Sequence, residues 1–288
     1  MIKVATDWKD YEIIATGDGQ KLERWGKLIL LRPDPQVIWH AKFDLSKYKG
    51  LNAKYIRSNQ GGGRWETDGK TVGDFTLQRK GLTFNLKLMG FKHTGLFPEQ
   101  AVNWDIMSSM VKSAGRPFKV LNLFAYTGGA TVALAQAGAY VTHVDAAKAM
   151  VERAKANALS SGIPNDRIRY IVDDCAKFIA REIRRGNKYD AILMDPPSYG
   201  RGANGEVWKI EDSIHDLVRE CVKVLGDNPL FFLINSYTTG LQPTVMSNIL
   251  SLALSEREGS IEAYEVGLPT NENIILPCGC SAIWKSNR

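Results

Sequence analysis

From about residue 118 the chain alternates short apolar runs with stretches of helical periodicity. The runs near 118–124, 140–144, 168–172, 189–194 and 230–235 are largely apolar rather than alternating with polar residues, the pattern of strands covered on both faces in a parallel sheet. Helical stretches lie near 130, 148, 176, 211 and 243. Strand and helix in regular succession predict a βαβ series, and right-handed crossovers would wind it into an open sheet. Residues 261–267 and 281–285 supply two more strands. The expected fold is α/β, a doubly wound, mostly parallel, seven-stranded sheet.

Before residue 92 the pattern differs. Short β-like runs at 27–31, 37–39 and 75–88 are interrupted by the turn signals Gly17-Asp18-Gly19 and Pro33-Asp34-Pro35. Phe75, Leu77, Leu82, Phe84, Leu86 and Leu88 alternate largely with polar residues around Lys80-Gly81, which predicts a half-buried hairpin. Residues 1–92 therefore read as a small β-rich domain and 93–288 as the α/β domain. A helical pattern over 97–112, with Val102, Ile106, Met107 and Met110 on one face, links them.

Two of the apolar runs end in chemistry. The first, VLNLFAYTGGA at 120–130, stops at Gly128 and Gly129, which carry no Cβ and let the backbone turn sharply and approach a ligand. The next run delivers Asp145, 17 residues beyond Gly128, near the ~20-residue spacing at which an acid meets ribose hydroxyls. A dinucleotide is not expected, because the G-x-G-x-x-G fingerprint is absent, and no G-K-[ST] marks a Walker loop. Tyr126 and Thr127 make the turn bulkier and add a hydroxyl, which suits a ligand without a diphosphate.

The second run, YDAILMDPPSY at 189–199, ends in Asp195 and two prolines. Prolines fix the backbone and remove its N–H donors, so Asp195 and the Pro196 carbonyl form a rigid acceptor edge able to hold an amine. Strand termination accounts for the prolines but not for the acid. The glycine-rich stretch 200–205, followed by Glu206, Val207, Trp208 and Lys209, reads as a substrate loop in which Trp208 either stacks on a base or anchors the loop.

These segments, together with HTGLFPEQ at 93–100, HVDAAKAMVERAKANA, DDCAKF and DPPSYG, resemble the class I S-adenosylmethionine-dependent methyltransferases from about residue 82 onward. Within that superfamily the chain resembles the bacterial group that modifies 23S ribosomal RNA of the large subunit. The resemblance implies a Rossmann-like methyltransferase sheet and S-adenosylmethionine as cofactor. It implies that Thr94, Gly95, Phe97 and Gln100 close over the cofactor, and that Asn122, Phe124, Ala125, Tyr126, Thr127 and Gly128 wrap its amino-acid part. Asp145 and Ala146 would meet the ribose. Asp174 and Cys175 would meet the adenine, with Asp173 a rival and helix capping an alternative role for either acid. Asp195, Pro196, Pro197 and Ser198 would form the catalytic loop, with Asp195 also bordering the cofactor, and Tyr199, Trp208 and Lys209 would contact substrate. Ser198 departs from the aromatic that amino-group methyltransferases place there. Asn235-Ser236-Tyr237 and Ser198 stand where C5-cytosine enzymes carry cysteine, so C5 methylation is not expected, and ring or exocyclic nitrogens remain open.

Charge sharpens the choice of partner. Residues 1–92 hold 17 Lys and Arg against 10 Asp and Glu, net +7, while the remainder is −1. Basic charge concentrated in one segment attracts polyphosphate backbones, so RNA, ribosomal RNA in particular, is the expected partner. A solvated basic face is the alternative. No apolar run approaches the ~18 residues of a membrane span, and the N-terminus lacks a signal-type block, so a cytoplasmic protein without a membrane partner is expected. The four cysteines lack the spacing of a zinc site, and no metal is expected. Two other readings stay open: a methyltransferase for a small molecule or protein, and a module that binds cofactor or RNA without turnover.

Overall fold

The computed structural model describes residues 1–58, 62–69, 72–201 and 207–287. The chain forms two compact units. The first comprises Met1–Lys3, Val102–Val266 and Gly279–Arg288, and the second Val4–Ala101 and Gly267–Cys278. The segment 267–278, two strand ends and the turn between them, thus joins the second unit, which is built from two segments of the chain, and Lys92 lies inside it.

The first unit is organised by one sheet. Its strands are β1 (Ile2–Val4), β2 (Lys119–Leu123), β3 (Tyr140–Asp145), β4 (Ile168–Val172), β5 (Ala191–Met194), β6 (Phe231–Ser236), β7 (Gly259–Pro269) and β8 (Ile275–Ser286). Across the sheet they run β1-β7-β8-β6-β5-β2-β3-β4. The five strands from β2 to β6 are parallel, and β8 is antiparallel to β6. All seven expected strands are present. The eighth, β1, adds at the edge through a bond from Glu265 N to Met1 O at 3.0 Å, and three residues are too few to show a period. The chain moves outward from β2 to β4, then crosses back to β5, so the order reverses between β2 and β5. Ligands in such sheets bind outside the carboxyl ends at that reversal.

Among the described residues six helices accompany the sheet: α1 (Ala101–Ser113), α2 (Gly129–Gln136), α3 (Lys148–Ser160), α4 (Cys175–Arg185), α5 (Ile210–Val222) and α6 (Pro243–Ala253). Side chains alternate across a strand. Leu121, Ile192, Phe232 and Trp284 form one core with Phe178 of α4, Val218 of α5 and Leu250 of α6. The alternate residues Asn122 and His143 turn to the other face, where both meet Thr131 of α2. In α1 the buried positions are Ala101, Val102, Asn103, Trp104, Met107 and Val111, so of the expected stripe Val102 and Met107 are buried and Ile106 and Met110 are only partly so. The hydrophobic set alone misses Asn103, which is polar, and Trp104, which sits off the expected face. No helix among the described residues is long and apolar enough to cross a membrane.

The second unit is a five-stranded sheet in chain order, Tyr11–Gly17, Gln20–Trp25, Leu28–Pro33, Ala53–Arg57 and Gly63–Thr67, plus the expected hairpin Phe75–Arg79 with Leu82–Leu86. Lys80 and Gly81 both have positive φ, +49° and +82°, which matches the twist of a two-residue hairpin turn. Residues 37–39 are not a strand. The carbonyls of Val37 and Trp39 instead accept from Gly19 and Asp18 of a neighbouring turn, so an apolar triplet there lines a turn. Buried Glu23 accepts from Arg32 at 2.6 and 2.7 Å and from the Tyr11 hydroxyl at 2.7 Å. Burial works against its charge, yet Arg32 and Lys21 hold the carboxyl down at about 2.

Candidate active site

The register of the parallel strands fixes which loops share a crevice. Met194 pairs with Leu123, Leu123 with Val144, and Asp145 with Val172. The residues leaving the sheet on one carboxyl edge are therefore Asp195 after β5, Phe124 after β2 and Asp145 ending β3. With neighbouring strands about 4.8 Å apart, Asp195 and Asp145 emerge about 10 Å from one another.

The loop after β2 is strained in an orderly way. Phe124, Tyr126 and Gly128 have φ of +52°, +50° and +81°. Bulky residues rarely adopt this conformation, which costs about 1–3 kcal/mol each and persists only where the surroundings enforce it. The enforcement is visible. Phe124 N donates to the Cys175 Sγ at 3.3 Å, Ala125 N to the Val144 carbonyl at 3.1 Å, and Tyr126 N to Asp145 Oδ2 at 2.8 Å. Asn157 of α3 donates to the Thr127 carbonyl at 2.8 Å. The two glycines answer to packing rather than to open space for a ligand: a Cβ on Gly128 would lie 2.8 Å from the Ala154 Cβ, and one on Gly129 would lie 2.5 Å from the Trp104 ring.

Asp145 accepts at both oxygens, from Tyr126 N and, at 2.8 Å, from Ala147 N. Burial raises its carboxyl, and these backbone donors work against that rise. A carboxylate has about four lone-pair positions, so it can still accept from a diol. Asp174 is exposed and caps α4, its Oδ1 accepting from Lys177 N at 2.9 Å. Asp173 is paired with Arg181. Cys175 is buried and its thiol is pushed well up, first by burial, while Ala146 is exposed beside Asp145. Asn122 is 3% exposed and spends its amide on Thr131 at 2.9 Å. Its side chain thus faces the interior. A polar residue inside an apolar strand does not announce which face it takes.

On the other side of the reversal, Asn235 at the end of β6 donates to Asp195 Oδ1 at 2.8 Å. Pro196 is buried and Pro197 exposed. The Ser198 hydroxyl accepts from Thr238 at 2.6 Å. Trp208 donates its indole N–H to the Pro197 carbonyl at 2.6 Å and packs on Phe124 at 5.2 Å between ring centroids. Of the two roles open to Trp208, anchoring the loop is the one its contacts fit. Residues 202–206 of the glycine-rich stretch lie outside the described residues, and their flanks pair as the short strands Tyr199–Arg201 and Val207–Lys209, with Tyr199 opposite Lys209 and both exposed. Thr94, Gly95, Phe97 and Gln100 belong to the second unit. There Thr94 and Gln100 are buried, and the Thr94 hydroxyl has no hydrogen-bond partner among the described residues.

A family model described as S-adenosylmethionine-dependent methyltransferase matches residues 24–236. The chain belongs to that family. The methyltransferase is similar over almost its whole length to a solved S-adenosylmethionine-dependent methyltransferase from Agrobacterium tumefaciens, with 33% identity, a TM-score of 0.93, and coverage of 99% of this chain and 93% of the other. It is 27% identical over 82% of its length to Ribosomal RNA large subunit methyltransferase K of Neisseria meningitidis, covering 67% of that protein. It is 28% identical over 75% of its length to the K/L protein of Colwellia psychrerythraea, but spans only 28% of it.

The site suits the family's cofactor in its donor set. Loop 124–128 holds no Lys or Arg to neutralise a diphosphate, while Asp145 offers a fixed carboxylate to a diol. What sequence reasoning missed in the methyltransferase is Asn235. A signal was present, since Asn235-Ser236 ends the otherwise apolar run Phe231-Phe232-Leu233-Ile234.

Proposed function

We propose that this methyltransferase acts in the cytoplasm on a nitrogen of an RNA base, ribosomal RNA being the substrate class. The observation that carries the reading is the Asp195-Pro196-Pro197 edge, held by Asn235 on the same carboxyl edge as Asp145. The names of the Neisseria and Colwellia relatives support ribosomal RNA, and the +7 charge of residues 1–92 suits a phosphate backbone.

When bound, S-adenosylmethionine supplies a methyl group activated on a sulfonium. Asp145 would accept from its ribose hydroxyls, loop 124–128 would surround its amino-acid part through Phe124, Ala125, Tyr126, Thr127 and Gly128, and Asp174 with Cys175 would border the adenine. Asp195 and the Pro196 carbonyl accept N–H donors of the target amine and aim its lone pair. A flipped base would enter beside them, with Tyr199 and Lys209 at the rim. Because the transfer is an in-line displacement, alignment is the chain's main contribution.

The test is methylation of deproteinised ribosomal RNA with isotopically labelled S-adenosylmethionine, followed by nucleoside mass spectrometry. Label is expected on a base nitrogen. Asp195→Ala should lower the rate by about a hundredfold, the scale of lost alignment, while cofactor affinity by calorimetry stays within about twofold. Label on carbon, no label in RNA, or full activity in that variant would each overturn the proposal.

A further inference from the structure

A continuous line of hydrogen bonds runs through the interior of the first unit and ends on Asp195. The Tyr264 hydroxyl donates to Asn103 Oδ1 at 2.7 Å, Asn103 Nδ2 donates to Ser281 Oγ at 2.9 Å, and Ser281 Oγ donates to Asn235 Oδ1 at 2.7 Å. Asn235 Nδ2 then donates to Asp195 Oδ1 at 2.8 Å. Tyr264 and Ser281 are 0% exposed, and Asn103 and Asn235 1%. The four residues come from β7, α1, β8 and β6, and none is near another in sequence except through the fold.

We propose that Tyr264, Asn103, Ser281 and Asn235 are positioning residues, a relay that sets the orientation of the Asp195 carboxylate toward the target amine. The inference rests on the role given to Asp195 above. An asparagine carries a donor end and an acceptor end, and its shape does not decide which one faces the acid. The acceptor-only carboxylate of Asp195 calls for the amide NH2, and Ser281 fixes that orientation, because its single proton goes to Asn235 Oδ1. The Ser281 proton is free for that only because Asn103 donates to the same hydroxyl. Asn103 presents its NH2 because Tyr264 donates to its carbonyl. A tyrosine hydroxyl ionises near 10 and is a donor at neutral pH, and burial pushes Tyr264 further up. Every bond therefore points one way, and the last acceptor is the carboxylate. Buried polar groups are costly beside an apolar core of the same shape, so four of them in line, ending on the proposed catalytic acid, suit a directional role better than a packing one.

The test uses Tyr264→Phe and Ser281→Ala, each of which removes one oxygen, and reads three quantities in the whole chain. The first is kcat for labelling ribosomal RNA, expected to fall about tenfold with cofactor Kd within twofold, since small misplacements in reacting geometry are expensive. The second is the side-chain NH2 resonance of Asn235 in NMR spectra, expected to shift and to exchange about tenfold faster with solvent. The third is Tm, which a purely structural role would lower without the other two. Unchanged Asn235 resonances in both variants, or a kcat within twofold alongside a lowered Tm, would overturn the relay. If the wild type fails to label RNA while the Asn235 resonances still respond, the substrate assignment falls and the relay stands. Should Ser281→Ala fold poorly, Tyr264→Phe alone carries the test.

Discussion

At the scale of single residues, the crevice depends on backbone conformations that side chains resist. Gly128 has φ of +81° and lies against Ala154. An alanine there would meet the left-handed penalty of about 1–2 kcal/mol and an overpacking penalty of about 1–3 kcal/mol. Gly128→Ala is accordingly expected to lower the midpoint of urea unfolding and to weaken cofactor binding, because the Thr127 carbonyl held by Asn157 would move with it. A variant with the wild-type midpoint would show that the turn has slack. Phe124 and Tyr126 show the same economy without glycine, their positive φ being held by Cys175 and Asp145. Nothing in the letters F and Y foretells a left-handed backbone, whereas the paired glycines after an apolar run do announce a turn.

At the scale of elements, strand order and helix caps decide where charge is placed. Asp174 begins α4 and caps it, and a capping acid replaced by alanine typically costs ~1 kcal/mol. If it also borders the adenine, Asp174→Ala should lose both stability and cofactor affinity, whereas Asp174→Ser should cap nearly as well and lose affinity alone. Thermal unfolding and calorimetry in parallel separate the two, and equal affinity in wild type and Asp174→Ser would confine Asp174 to capping. The five parallel strands were legible from their largely apolar runs, because burial on both faces removes strict alternation. The inward stripe of α1 was legible only in part, since a helix shows its period in any register and the neighbour that it packs on, Gly129 of α2, is distant in sequence.

At the scale of the whole molecule, buried histidines link stability to pH. Burial lowers His143 to about 3, and burial together with Arg32, Lys92 and Lys21 lowers His93 to about 4. An ordinary histidine ionises near 6.5, so below that pH the unfolded chain takes up protons that the folded chain refuses. The two histidines should add no slope above about pH 6.5 and a fall in stability below it, by at most ~1.4 kcal/mol per pH unit for each histidine. Glu23, held at about 2 against the ordinary 4.5, adds a loss that begins near 4.5 and continues toward 2. Urea unfolding at pH 7.5, 6.5 and 5.5 checks the first part, and His143→Gln should flatten the decline. An unaltered slope in that variant would show that His143 is already protonated in the folded protein. By itself the sequence determined the βαβ order, the hairpin at Lys80-Gly81, and the acids and prolines that end the strands, since each follows from local periodicity or the chemistry of a few adjacent residues. Only the tertiary structure decided that Asn122 turns inward, that the segment 267–278 joins the second unit, and that Tyr264, Asn103, Ser281 and Asn235 meet behind Asp195. The last two join residues far apart along the chain, and the face that Asn122 takes, like those contacts, follows from strand register, which no single segment encodes.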